Sequence, residues 1–105
     1  MSDTFEVRIE GDARLVVRGE LDMATAPQLR DAIASAASTG RQRVVVDLAA
    51  VTFVDSTGFS ALCIAQSALE ERGAVLVLGS MSSQVRSALQ VVGLDSQFVI
   101  DPHHG

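Results

Sequence analysis

The sequence predicts an α/β fold built on a mixed β-sheet, in the order β-β-α-β-α-β-α-β. Three observations carry this. Two runs near the N-terminus are joined at Gly11-Asp12, and the first alternates apolar and polar residues. After them, apolar runs alternate with helical patterns, which calls for crossover connections and a mostly parallel later sheet packed on helices. Two of those runs, Arg43 to Leu48 and Ala74 to Leu78, are nearly continuous in apolar residues, as central strands are.

Each element has its own signal. Phe5, Val7 and Ile9 alternate with Glu6, Arg8 and Glu10, so the first strand has one wet face. Ala13 to Arg18 is its antiparallel partner, closed by Gly19. Glu20-Leu21-Asp22-Met23-Ala24 reads as a loop. Thr25 and Gln28 have capping-box spacing, and Pro27 falls in the first turn, where its missing N–H costs little. Leu29, Ile33, Ala36 and Ala37 follow at helical spacing, and Gly40 ends that helix. Leu62, Cys63, Ala65 and Leu69 mark a second helix, ended by Gly73. Cys63 falls on its apolar face and reads as a buried small hydrophobe. Ser82 or Ser83 caps a third helix carrying Val85, Leu89 and Val92, with Gly93-Leu94 as a glycine cap. Phe98 to Ile100 is a short last strand, and Asp101 to Gly105 a frayed tail. The expectation is one domain over residues 1–105, its core at about 5–100.

Composition removes several function classes. The formal charge is −5, and all eight basic residues are arginine. A chain without lysine has no phosphate-loop lysine, Schiff base or kinase-type lysine. No basic cluster exists to release counterions, so nucleic acid is not an expected partner. No apolar run approaches the ~20 residues of a membrane span, so no membrane partner is expected either. The start, Met1-Ser2-Asp3-Thr4, lacks the basic and apolar regions of a signal peptide, which points to the cytoplasm. Cys63, the only cysteine, fits a reducing compartment. His103 and His104 lack the further ligands a metal site needs, so no cofactor or metal is expected.

The most informative stretch is Val44-Val45-Val46-Asp47-Leu48 followed by Phe53-Val54-Asp55-Ser56-Thr57-Gly58-Phe59. An apolar run delivers a polar turn, and a helical pattern begins straight after it. A serine hydroxyl is thereby placed at a helix start, near the surface, where backbone N–H groups favour an anion. Ser56 suits either a helix cap or a phosphate acceptor, and Thr57 a cap or packing role. Asp55 is either a turn residue or a group that orients Ser56. A hydrolase elbow does not fit: Gly-x-Ser-x-Gly is absent, and the only histidines lie in the tail. Nor is there a glycine-rich loop with lysine for a nucleotide.

Three pieces stand in a specific order. Gly19-Glu20-Leu21-Asp22 precedes Ala26-Pro27-x-Leu29-Arg30, Asp55-Ser56-Thr57-Gly58 follows a buried strand, and Val85-x-x-x-Leu89-x-x-x-Gly93-Leu94 precedes the last strand. Over roughly Phe5 to Ile100 the chain resembles the STAS domain, specifically the bacterial anti-sigma factor antagonists. The resemblance implies a protein-binding switch and no enzyme. An unphosphorylated antagonist binds an anti-sigma factor that is also a serine kinase, and so frees a sigma factor. The kinase phosphorylates the serine after the aspartate of the turn, here Ser56, and a PP2C-type phosphatase reverses this in many members. Asp22, Met23, Asp55, Ser56, Thr57, Gly58 and Phe59 would form the docking surface. Met23 and Phe59 would be exposed contacts there, although Phe59 suits the core equally. The chain departs from the family in reading Gly58-Phe59-Ser60 where Gly-Leu-Gly is usual, which makes Ser60 a competing hydroxyl. It also stops soon after the last strand, where many members carry a further helix. The alternative reading is a non-switching STAS scaffold subunit of a lipid-transport or stress-signalling assembly.

Overall fold

A computed structural model describes residues 5–11 and 13–101. Asp12 of the hairpin turn, and the tail 102–105 with its two histidines, lie outside the described residues. The elements are β1 (Glu6–Glu10), β2 (Arg14–Leu21), α1 (Ala26–Ala37), β3 (Arg43–Val54), α2 (Ser56–Glu71), β4 (Val75–Met81), α3 (Ser83–Val92) and β5 (Val99–Ile100). They form a five-stranded sheet in the order β1-β2-β3-β4-β5. β1 and β2 are antiparallel, and every later pairing is parallel. The mixed α/β fold read from the sequence is the fold observed.

The core gathers on one face of the sheet. Leu15 and Val17 of β2, Val44, Val46 and Leu48 of β3, and Leu76 and Leu78 of β4 pack with the buried faces of the helices. Among the helical residues are Leu29 and Ile33 of α1, Leu62 and Leu69 of α2, and Val85 and Leu89 of α3. Each such side chain stabilises the fold by roughly 1.5–3 kcal/mol relative to exposure. Ile9, on the same face of edge strand β1, stays 60% exposed. Val45, Asp47 and Val77 are also buried but stand outside this cluster. Strand alternation places them on the opposite face.

β2 and β3 both run further than the sequence pattern indicates. Gly19 does not close β2; with φ 103 it lies within the strand, which continues to Leu21. β3 continues from Leu48 to Val54 through exposed Ala49, Ala50, Thr52 and Phe53, which interrupt the apolar run. The extension is irregular. Val16 pairs with Asp47 and Arg18 with Ala50, so Leu48 and Ala49 together stand opposite Val17. A second shift falls between Gly19 and Glu20. Such bulges bend a strand and re-aim its remaining length.

Asp47 holds the first bulge. Its Oδ1 accepts the N–H of Ala49 at 2.9 Å, and its Oδ2 accepts Nη2 of Arg14 at 2.7 Å. The carboxylate is the only buried charged side chain among the described residues, and both its oxygens are bonded, as burial demands.

At the far end the two strands finish together. Leu21 pairs with Val54, and the N–H of Asp55 donates to the carbonyl of Leu21 at 3.2 Å. Gly58 then passes so close that an added Cβ would lie 2.8 Å from Leu21 Cγ and Val54 Cγ2, and 3.0 Å from the Leu21 carbonyl oxygen. The first turn of α2 therefore rests directly on the ends of β2 and β3. Gly58→Ala forces one of them to move and is expected to lower stability by about 1–3 kcal/mol in urea unfolding. Asp47→Ala orphans the Ala49 N–H and leaves Arg14 with only its 3.7 Å ion pair to Glu10. It is expected to cost about 1–3 kcal/mol in the same measurement, with Asp47→Asn, which keeps an acceptor, costing less.

Candidate functional site

Asp55 both ends the extended β3 segment and caps α2. Its backbone is extended (φ −111, ψ −175), its Oδ1 accepts the Gly58 N–H at 3.0 Å, and its carbonyl accepts the Phe59 N–H at 3.1 Å. The cap is thus neither Ser56 nor Thr57. Aspartate satisfies the donor three residues on, one of the groups a helix start leaves unpaired. Ser56 becomes the first helical residue and is exposed. Among the described residues, its hydroxyl and that of Thr57 make no hydrogen bond. Of the first-turn N–H groups, that of Asp55 goes to Leu21 and that of Gly58 to the Asp55 carboxylate. Those of Ser56 and Thr57 remain for an external acceptor.

A second loop lies beside this turn. Asp22 Oδ1 accepts the N–H groups of Ala24 at 3.0 Å and Thr25 at 3.2 Å. Thr25 Oγ1 donates to the Glu20 carbonyl at 2.8 Å and accepts the Asp22 N–H at 2.9 Å. The expected capping box is therefore not formed. Thr25 starts α1 with no side-chain cap bond, because its hydroxyl is committed to the loop. These bonds shape the turn from which Met23 projects, 75% exposed. Asp22 is half-buried.

The predicted site residues are brought together, with different burial. Asp22, Met23, Asp55, Ser56 and Thr57 are accessible, whereas Gly58 and Phe59 are buried. The open choice for Phe59 falls to the core: it is 5% exposed and belongs to the main cluster. Two shallow clefts flank the start of α2. One, of about 370 Å³, is lined by Ser56, Phe59, Ser60, Cys63, Val92 and Leu94, among others. The other, of about 280 Å³, is lined by residues including Met23, Pro27, Arg30, Thr57 and Ser60. Ile64 reaches both.

Three side chains depart from expectation or were overlooked. Val92 lies at the end of α3 with 50% exposure, outside the core face, and Cys63 is half-buried at the cleft. Ile64, 55% exposed, is signalled only by its place four residues after Ser60 and eight after Ser56. Among the described residues, no cluster of His, Cys, Asp and Glu is placed to hold a metal, and no helix is long and apolar enough to cross a membrane. What the arrangement offers is a free hydroxyl on an accessible, largely uncharged surface.

Comparison with known proteins gives this surface its context. Residues 5–101 match the family model described as "Mlab, STAS domain". The anti-sigma-F factor antagonist RsfB of Mycobacterium tuberculosis is 31% identical over 90 residues, which cover 84% of this chain and 71% of that protein. A crystal structure of an anti-sigma factor antagonist from Mycobacterium paratuberculosis superposes with a TM-score of 0.74 at 31% identity, covering 94% of this chain and 85% of the other. The Bacillus cell fate determinant SpoIIAA in its phosphorylated form shares the fold, with a TM-score of 0.65 at 23% identity and coverage of 96% and 94%. This chain belongs to the STAS domain family, among the anti-sigma factor antagonists.

Proposed function

We propose that this chain binds an anti-sigma factor when Ser56 is unmodified, thereby releasing a sigma factor, and that phosphorylation of Ser56 switches it off. One observation carries the reading. The helix cap is supplied by Asp55, so the exposed Ser56 hydroxyl has no bond to lose within the fold. The names of the mycobacterial relatives support the role, and SpoIIAA supports the modification, since its phosphorylated form has this fold. The partner is a serine kinase as well as an anti-sigma factor. It moves the γ-phosphoryl group of ATP onto Ser56 Oγ, and a PP2C-type phosphatase hydrolyses it off again. The chain itself performs no catalysis and works in the cytoplasm.

The physics of such a switch is favourable. A phosphate adds about −1.5 to −2 charges. At the first residue of α2 it meets the positive end of the helix and the free N–H groups of Ser56 and Thr57, so the fold tolerates it. At an interface the same group must be desolvated next to Asp55 and Asp22. A loss of about 3–4 kcal/mol there weakens binding a few hundredfold. In the second reading, a non-switching subunit of a lipid-transport or stress-signalling assembly, Ser56 is only the first residue of a helix.

Two measurements separate these readings. Incubation with the anti-sigma factors of the source genome and ATP, followed by peptide mass spectrometry, is expected to place one phosphate on Ser56. Label on Ser60 or Thr57 alone, or none with any of them, contradicts the switch. Ser56→Asp is expected to keep the wild-type circular dichroism spectrum and melting curve while losing affinity a few hundredfold in calorimetry. Unchanged affinity would remove the mechanism.

A further inference from the structure

β1 leaves one edge of the sheet open. It bonds β2 along one side, and no strand among the described residues lies along the other. Proteins commonly blunt such an edge with a bulge, a proline or brevity. β1 has none of these. Glu6 to Glu10 pair with Arg18 to Arg14 in unbroken register, in contrast to the bulged ladder of β2 and β3. On the helix-covered face the edge presents Ile9, 60% exposed, with Phe5 and Val7 half-buried beside it. On the opposite face it carries Glu6, Arg8 and Glu10, which alternate in sign.

We propose that a second copy of this chain pairs with β1 through its own β1, antiparallel and centred on Val7, joining the two sheets into one. The order of the charges selects both the occupant and the register. A two-fold axis normal to the sheet keeps the helices of both copies on one side, so the pairing must be centred on a residue. Centred on Glu6, Arg8 or Glu10, a charge meets its own copy, which disfavours the pair. Centred on Ile9, Arg8 meets Glu10, but only the last three residues of each strand face one another. Centred on Val7, residues 5–9 of both copies are opposed. Glu6 then faces Arg8 of the second copy at two symmetric places. Val7 faces Val7, and Ile9 faces Phe5 twice.

The groups that this register uses are available. Among the described residues, the Glu6 carboxylate makes no ion pair or hydrogen bond. Arg8 is held only by Glu10, two residues on, in an exposed pair at 3.1 Å. Exposed pairs of that kind contribute little, so Arg8 is free to turn to a new carboxylate. Opposite-charge pairs and an aromatic ring against a β-branched side chain are the favourable cross-strand pairs. An interface of one strand from each copy is smaller than that of a standard stable complex, so the dimer is a weak one, populated at high protein concentration. The two-fold axis turns the β2 and β3 ends of the two copies in opposite directions. Pairing at β1 is therefore independent of the role of Ser56.

The test is sedimentation velocity of the full chain at rising concentration, up to about 1 mM. The wild-type protein is expected to move from monomer to dimer and to form nothing larger, since the pairing uses up the edge. Arg8→Glu, which sets a glutamate against Glu6 at both places, is expected to weaken the dimer at least tenfold. Adding Glu6→Arg to it restores opposite charges and is expected to bring the dimer back to within about threefold of wild type. Melting curves of both variants are expected to stay close to wild type, because the intrachain pair they break is exposed. In a Cys63→Ser background, Val7→Cys is expected to cross-link to itself on mild oxidation, since directly opposed residues lie within disulfide reach, and Ile9→Cys is expected not to. A chain that stays monomeric throughout overturns the proposal. So does a dimer indifferent to Arg8→Glu, a double variant no better than Arg8→Glu alone, or cross-linking at position 9 in place of position 7.

Discussion

The contact of Gly58 with the ends of β2 and β3 organises everything at the site. A backbone that close to Leu21 and Val54 leaves no room for a side chain. It ties the first turn of α2 to the strand that leads into the Asp22 loop. The N–H of Asp55 reinforces the same junction through the Leu21 carbonyl. Two loops far apart in sequence thus share one rigid floor. The bulge held by Asp47 acts upstream of this junction, because it sets how far β3 runs before the turn begins.

In the proposed switch, structure and signalling are divided between neighbouring residues. Asp55 performs the capping that a helix start requires, and Gly58 performs the close packing. Ser56 carries neither burden. A residue free of structural duty can change charge by about two units without unfolding its neighbours, provided they accept an anion. The open N–H groups of the first turn supply that acceptance. The same charge acts quite differently across an interface, where water is expelled and nearby carboxylates repel it. One modification can therefore be neutral to folding and decisive for binding.

Most of the fold was legible because the buried faces keep their periods. The apolar runs that hold Val44, Val46, Leu48, Leu76 and Leu78, and the helical rows that hold Leu29, Ile33, Val85 and Leu89, all read directly as buried elements. The illegible parts depend on tertiary hydrogen bonds. The C-terminal half of β3 is exposed in places and irregular, so no period of two announces it. Thr25 has the sequence of a cap, yet its hydroxyl turns back to Glu20. Asp55 and Ser56 are both good caps by residue type, and it is the extended backbone of Asp55 with its bond to the Gly58 N–H that places the cap there. The serine turn was visible as a motif, as was its neighbour Asp22. The exposure of Ile64 was not, since an isoleucine in an apolar helix looks like another core residue. Val92 misled in the same way, because it follows the core spacing of α3 but falls at its exposed end.

The separation of fold from binding at Ser56 is tested most directly by incorporating phosphoserine at position 56 and recording backbone amide spectra with and without the partner anti-sigma factor. Free, the modified protein is predicted to shift only amides near residues 22–25 and 55–60, the fold remaining intact. Titrated with the partner at concentrations that saturate the unmodified chain, it is predicted to show no complex. A spectrum that collapses on modification, or a complex that forms as before, would contradict the switch.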